Sequence, residues 1–300
     1  MHVPWPFRAL AESASRGVVL RRKLPKKMGG ATLFVSPDAR LRYWYPSLAS
    51  IDPWLLDMAV ELVSPGDVVW DIGANVGLFS FAAAGLAGPS GRVIAIECDP
   101  WLVSLLRLSA RTNRGGLAPV DILPVAASAA IDIRHFCIAQ RGRSSNHLDG
   151  CTPPPHHHDG RGRKASNHLD GGTLPSDAGG IREIQYVPTV TLDWLTERFP
   201  PPRVLKIDVE GAEEHVLRGG ERLLREARPI VLCEVSGQCC ATVGQFLSEC
   251  GYILFDAELP KEQRRPLTNA TWNTLGFPQE CIVASDRSRK RPAQHSHVAQ

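Results

Sequence analysis

The run "DVVWDIGANVGLFSFAAAGLAG", Asp67 to Gly88, carries three signals in one stretch. Val68, Val69, Trp70 and Ile72 make a short, almost wholly apolar strand, the composition of a parallel strand covered on both faces. Gly73 and Gly77 permit a tight turn and close approach of a ligand to the backbone. An apolar helix starts near Asn75, with its first N–H groups facing the space beyond the strand. "GRVIAIE" repeats the strand, Asp99 and Pro100 open a helix over "WLVSLLRLSARTN", and "VDILPVAAS" supplies a third strand. Strand, helix, strand, helix, strand is the signature of an open α/β sheet.

The pattern extends in both directions. Upstream, Asp52 and Pro53 suit the N-cap and first turn of a helix over "WLLDMAVELV". Downstream the order breaks after Ile138. Residues 141–181 are rich in Gly, Pro, Ser, His and Arg and contain "SNHLDG" twice, at Ser145–Gly150 and Ser166–Gly171. Two copies make no solenoid, and the segment reads as a low-complexity loop insertion. Its "HHHD", His156 to Asp159, is flanked by prolines and reads as solvated low complexity rather than a metal site. Regular structure is expected to return at "VTLDWL". "VLKI" is then the fourth strand, with a helix from about Ala212 interrupted at Gly219–Gly220. "PIVLCEV" is the fifth strand, "TVGQFLSEC" a further helix, and "YILFD" and "CIVAS" close the sheet.

Composition removes several classes of function. A net charge of +3 over 300 residues is too near neutral for a nucleic-acid surface. The 8 cysteines show no paired CxxC spacing, so they read as reduced thiols rather than a zinc site. The amino terminus has no continuous apolar core for a signal peptide, and Val76 to Gly88 is too short to span a bilayer. The expectation is a cytoplasmic protein with no membrane partner. Residues 1–50 read as an N-terminal segment and candidate cap on the substrate side, 51–286 as the main domain, and 287–300 as a disordered basic tail.

The chemistry gathers at strand ends. The strict nicotinamide fingerprint, G-x-G-x-x-G, is absent because Asn75 stands at its second glycine. Asp71, an acid ending the first strand, is uninviting to a pyrophosphate and suits a cationic ligand such as S-adenosylmethionine. Glu97 closes the second strand about twenty residues past Gly77, where an acid accepts ribose hydroxyls. Asp208, Glu210 and Glu234 lie at later strand ends, on the same edge as Asp71 and Glu97. Glu213 and Glu214 sit in the first turn of a helix, where negative charge is favoured in any case.

"DIGANVGLFS", "IECDP" and "LKIDVEGAEEHVLRGG", followed by "PIVLCEV", closely resemble the FkbM-type family of S-adenosylmethionine-dependent methyltransferases. The resemblance covers roughly Ile51 to Ser285. It implies a class I, Rossmann-like methyltransferase fold: a mostly parallel sheet, helices on both faces and an antiparallel C-terminal hairpin. It also implies that Asp71, Gly73, Asn75 and Gly77 line the methionine end of the cofactor and Glu97 the ribose. "RGRSSNHL" is family-like too, with "RKASNHL" as its echo, and either copy could approach the site.

The expected reaction is methylation of a hydroxyl on a small molecule or saccharide. "DVEG" stands where amino-group methyltransferases carry (N/D)PP(Y/F), which favours an oxygen acceptor. Asp208 is the first candidate for the catalytic carboxylate and Glu210 the second. His215 lies a helical turn further on. No metal site is assigned, although Asp208, Glu210 and Glu234 could collect a magnesium ion. Two alternatives remain: a nicotinamide-dependent oxidoreductase, and a scaffold that binds the cofactor without catalysis.

Overall fold

The structure, a computed structural model, describes residues 13–113, 115–140, 142–148 and 180–282. The chain opens with an antiparallel hairpin, β1 (Leu20–Lys23) and β2 (Thr32–Val35). Helix α1 (Pro53–Leu62) follows, capped by the Asp52 carboxylate, which accepts from the Leu55 N–H. Then come β3 (Val68–Ile72), α2 (Leu78–Ala87), β4 (Arg92–Ile96), α3 (Pro100–Thr112) and β5 (Val120–Leu123), in the expected alternation.

Four further strands follow: β6 (Ala126–Ala127), β7 (Asp132–Ala139), β8 (His147–Leu148) and β9 (Ile181–Val190). They form a second sheet in the order β6-β9-β7-β8. Of the expected loop over 141–181, only 142–148 and 180–181 are among the described residues, and both stretches are ordered against this sheet. The first "SNHL" is folded against β7, and regular structure returns at Ile181 rather than at "VTLDWL". The second copy, the histidine run and the basic tail lie outside the described residues.

The remainder is α4 (Leu192–Leu195), β10 (Val204–Ile207), α5 (Glu213–Arg218), α6 (Glu221–Glu226), β11 (Ile230–Glu234), α7 (Cys240–Glu249), β12 (Tyr252–Asp256) and β13 (Asn273–Pro278). The closing strand is thus "NTLGFP". "CIVAS" does not supply it, because helical backbone already occupies 279–282. Register explains the choice: β13 fits between β11 and β12 with antiparallel pairing to each, as in the expected C-terminal hairpin.

The main sheet runs β12-β13-β11-β10-β3-β4-β5, with the five strands from β11 to β5 parallel. Successive strand residues face opposite sides, so each strand feeds two cores. Val69, Ala95 and Val204 join Leu56, Phe79 and Leu106 from α1 to α3. Trp70, Ile94 and Leu205 join Leu217, Leu223 and Leu247 on the other face. The N-terminal hairpin is bolted to α3 through side chains: the Asn113 carboxamide accepts from Thr32 N at 2.8 Å and donates to Thr32 O at 2.7 Å.

Candidate functional site

Strand order reverses between β3 and β10, because the chain leaves β3 toward β5 and leaves β10 toward β13. In an open α/β sheet the crevice beyond the carboxyl ends at such a reversal is where ligands bind. A cavity of about 870 Å³ lies there, in the range of small-molecule sites. Of the residues singled out from sequence, Gly73, Asn75, Glu97, Asp208, Glu210 and Glu234 all line it.

The turn after β3 is held tightly from within. Gly73 and Ala74 N–H both donate to Ile96 O at 2.9 Å, and Gly77 N–H donates to Ala74 O at 2.8 Å. Asn75 N–H donates to the Glu97 carboxylate and Val76 N–H to the Asn75 side chain, each at 2.8 Å. Every N–H from 73 to 77 is therefore spent. The turn itself thus offers a pyrophosphate no free N–H. It fits an adenosyl ligand, whose ribose diol asks for an acceptor. Glu97 stands at the wall with its other oxygen taking the Asp99 N–H at 2.8 Å, and each carboxylate oxygen keeps a second lone pair. Burial pushes the Glu97 carboxyl up to about 7, against the pull of those backbone N–H groups.

Gly73 has φ 77°, and a Cβ there would run into the Asp208 carbonyl, so only glycine lets β3 and β10 meet at this point. Asn75 and Glu210, at φ 52° and 53°, also hold left-handed backbone, an uncommon state for residues with side chains. Both border the cavity.

Asp71 and Gly77 do not line the cavity. The Asp71 carboxylate is wholly buried behind the turn, where Ser80 Oγ donates to it at 2.5 Å and Lys206 Nζ lies at 3.2 Å. Gly77 caps α2, and a side chain there would meet Leu106 and Phe81. These two shape the turn rather than touch its contents. Lys206 is the connecting piece. Its ammonium also reaches Asp208 at 3.2 Å and donates to Gly73 O at 3.2 Å. Burial alone would lower its pKa, but Asp208 and Asp71 outweigh that and hold it above the usual lysine range.

Asp208 follows β10 with 31 % of its side chain exposed. Glu210 and Glu234 are half-buried beside it. Burial, then Asp208 and Glu234, hold the Glu210 carboxyl well above its ordinary range. Burial, then Asp208, push Glu234 up to about 8. Glu213 lies under the wall and is pushed to about 6 by burial, although Gly211 N–H donates to it. His215 is exposed on α5 and takes no part in the wall. Among the described residues no group of three His, Cys, Asp or Glu is arranged to hold a metal.

Several wall residues escaped the sequence reading. Arg40, Tyr43 and Asp52 come from the segment before α1, and Asn273 and Glu258 from the β12–β13 region. None sits in a motif. Asn273 becomes predictable only once β13 is known to pair beside β11, which sets it opposite Glu234. Arg143 and Asn146 belong to the first "RGRSSNHL". Arg143 is ion-paired with Asp38 at 2.9 Å and with Asp99, and the Asn146 carboxamide donates to Asp99 at 2.8 Å. Asp99 is fully buried and also caps α3. One carboxylate thus ties the second sheet to the β4 end of the cavity, and the first copy reaches the site.

With this strand order and an adenosyl-compatible turn after β3, the architecture is that of a class I S-adenosylmethionine-dependent methyltransferase. The family model of the methyltransferase FkbM domain matches residues 71–254. The chain belongs to that family, and S-adenosylmethionine is its cofactor. No curated protein matches it in sequence. Among solved structures it is similar to a methyltransferase FkbM from Methylobacillus flagellatus, at 15% identity and TM-score 0.41, covering 74% of this chain and 50% of that one. The chain thus spans half the length of that protein. A precorrin-6y C5,15-methyltransferase from Geobacter metallireducens is 15% identical with TM-score 0.39, over 76% of this chain and 88% of that one. Fibrillarin from Aeropyrum pernix, with natively bound S-adenosyl-L-methionine, is 13% identical with TM-score 0.40, over 75% and 76%. Among the described residues no helix is long and apolar enough to cross a membrane.

Proposed function

We propose that the protein methylates a hydroxyl oxygen on a small molecule or saccharide. The observation that carries this is the group of carboxylates at the β10 and β11 ends, beside the turn that takes the cofactor. Bound S-adenosylmethionine supplies an electrophilic methyl carbon on a sulfonium. Gly73 and Asn75 border its methionine end and Glu97 its ribose, while Asp71 acts through Lys206. Asp208 accepts the hydroxyl proton as the new O–C bond forms and the S–C bond breaks, leaving a neutral thioether. Holding the oxygen in line and removing its proton are the two tasks left to the protein. Lys206 Nζ, at 3.2 Å, fixes the Asp208 carboxylate at the strand end; Glu210 is the second candidate for the proton. The segment before α1 caps the acceptor side through Arg40 and Tyr43. Transfer from labelled S-adenosylmethionine to a panel of alcohols and sugars, with the methyl located by NMR, tests the reading. A methyl found on carbon or nitrogen, or turnover that depends on a nicotinamide, overturns it.

A further inference from the structure

The acceptor side of the cavity holds more carboxyl groups than its own chain pairs with cations. Asp52, Asp208, Glu210, Glu234 and Glu258 all line it. Arg40 and Lys206 face them, and both are spent. Arg40 is held by Asp52 at 2.7 Å, and Lys206 is divided between Asp71 and Asp208 at 3.2 Å each. Among the described residues no ion pair reaches Glu210, Glu234 or Glu258; Glu258 has only the Asn273 carboxamide, at 2.9 Å. Carboxyls taken partly out of water with no counter-charge hold on to their protons, as the upward shifts of Glu210 and Glu234 show, and release them when a cation arrives. The cofactor brings one net positive charge, fewer than the unpaired carboxyls.

A second, independent feature lies on the same wall. Tyr43 is 4% exposed and lines the cavity, yet its hydroxyl has no hydrogen-bond partner among the described residues. Arg40, Asp52, Lys206 and Asp208 are all near enough to act on it electrostatically, which places the hydroxyl over the reacting edge. Burial, the largest influence, keeps its proton on, so it is a donor. The hydroxyl opens onto the cavity and is free to donate to a ligand oxygen there. Trp54 and Trp272 add aromatic surface to the same wall, and aromatic faces attract cations.

We propose that the acceptor is an amino alcohol or amino sugar: its protonated amine sits against Glu210 and Glu234, and a neighbouring oxygen takes the Tyr43 hydroxyl. This rests on the O-methylation reading above, and the test separates the two. Matched pairs are titrated by calorimetry into protein loaded with S-adenosylhomocysteine: glucosamine against N-acetylglucosamine, and 2-aminocyclohexanol against cyclohexane-1,2-diol. The amine of each pair is expected to bind at least about tenfold tighter, the worth of one charge-assisted contact. Glu234→Gln should abolish the preference and leave S-adenosylhomocysteine affinity within about threefold, since its contacts lie at Gly73 and Glu97. Glu210→Gln is the companion variant, and an unchanged melting temperature certifies the fold of each. Equal affinity within the pairs, or binding by neither member at millimolar concentration, overturns the proposal. So does loss of cofactor affinity in Glu234→Gln, because the carboxylates would then serve the cofactor's own charge. Labelled methyl is finally located in any product. On oxygen, both readings stand. On nitrogen, the amine stands and the O-methylation reading falls. Transfer to the neutral members alone keeps O-methylation and overturns the amine.

Discussion

On the β3–β4 side of the cavity each polar group is answered from within the chain, while on the β10–β11 side several are left over. The turn from Gly73 to Gly77 pairs all of its N–H groups with Ile96, Glu97, Asn75 and Ala74. Glu210 and Glu234, at the neighbouring strand ends, take part in no ion pair among the described residues. The first side is finished before any ligand comes, which suits a cofactor that is always the same. The second is finished by its ligand. That costs stability while it waits and gains discrimination when the right molecule arrives, because specificity is a difference between affinities.

The sharpest way to separate the two sides is Asp208→Asn. Removing a positioned proton acceptor should cut turnover by about two to four orders of magnitude. Calorimetry should still find cofactor affinity within a few-fold. A variant that turns over normally moves the role to Glu210. Lys206→Met attacks the joint between the sides, since it leaves the buried Asp71 and the adjacent Asp208 without their cation. Breaking such a pair from one end should lower the unfolding free energy by about 3–5 kcal/mol, read by urea denaturation. An unchanged midpoint would mean that Asp71 is adequately held by Ser80 alone.

Glu97→Gln tests the cofactor side by itself. S-adenosylmethionine affinity should fall by about 1–3 kcal/mol, the worth of a charge-assisted hydrogen bond, while binding of an acceptor to the loaded protein is unaffected. The smallest effect is a slope with pH. Burial raises the Glu213, Glu97 and Glu234 carboxyls to about 6, 7 and 8. Between the ordinary carboxylate value near 4.5 and those values the folded protein holds protons that the unfolded chain has released. Stability must then fall as pH rises, by at most about 1.4 kcal/mol per pH unit per group. The ligand-free melting temperature should drop from pH 5 to pH 8, and Glu234→Gln should flatten the upper part of the fall. A rising curve would contradict the burial of these acids.

The same contrast decides what could be read from the sequence. The cofactor side is local: "DIGANVG" carries its own turn, Glu97 ends the next strand, and Asp208 follows "VLKI". Those residues were legible because strand polarity alone puts them on one edge. Asp71 was legible as an acid but not in its role, because only the fold reveals Lys206 and Ser80 pointing at it. The acceptor side is assembled from segments far apart in the chain, and nothing around Tyr43 or Asn273 resembles a motif. The second sheet was hidden for a different reason. Ile133 and Ile184 are apolar but 60% and 56% exposed, while Phe136 and Ile138 are buried, so the alternation that identifies a strand is blurred in β7 and β9. "RGRSSNHL" looked like the head of a low-complexity loop because its anchors, Asp38 and Asp99, lie elsewhere in sequence.

The contact between Gly73 and the Asp208 carbonyl has a consequence for what such a protein can become. With no atom to spare between the two strands, the gap separating the turn from the acidic strand end is a fixed length, set by bare backbone. On the proposed function, the distance from cofactor to acceptor is therefore set by the scaffold rather than by the side chains around it. Changes at Tyr43, Glu234 or Glu258 exchange one customer for another without recalibrating the instrument.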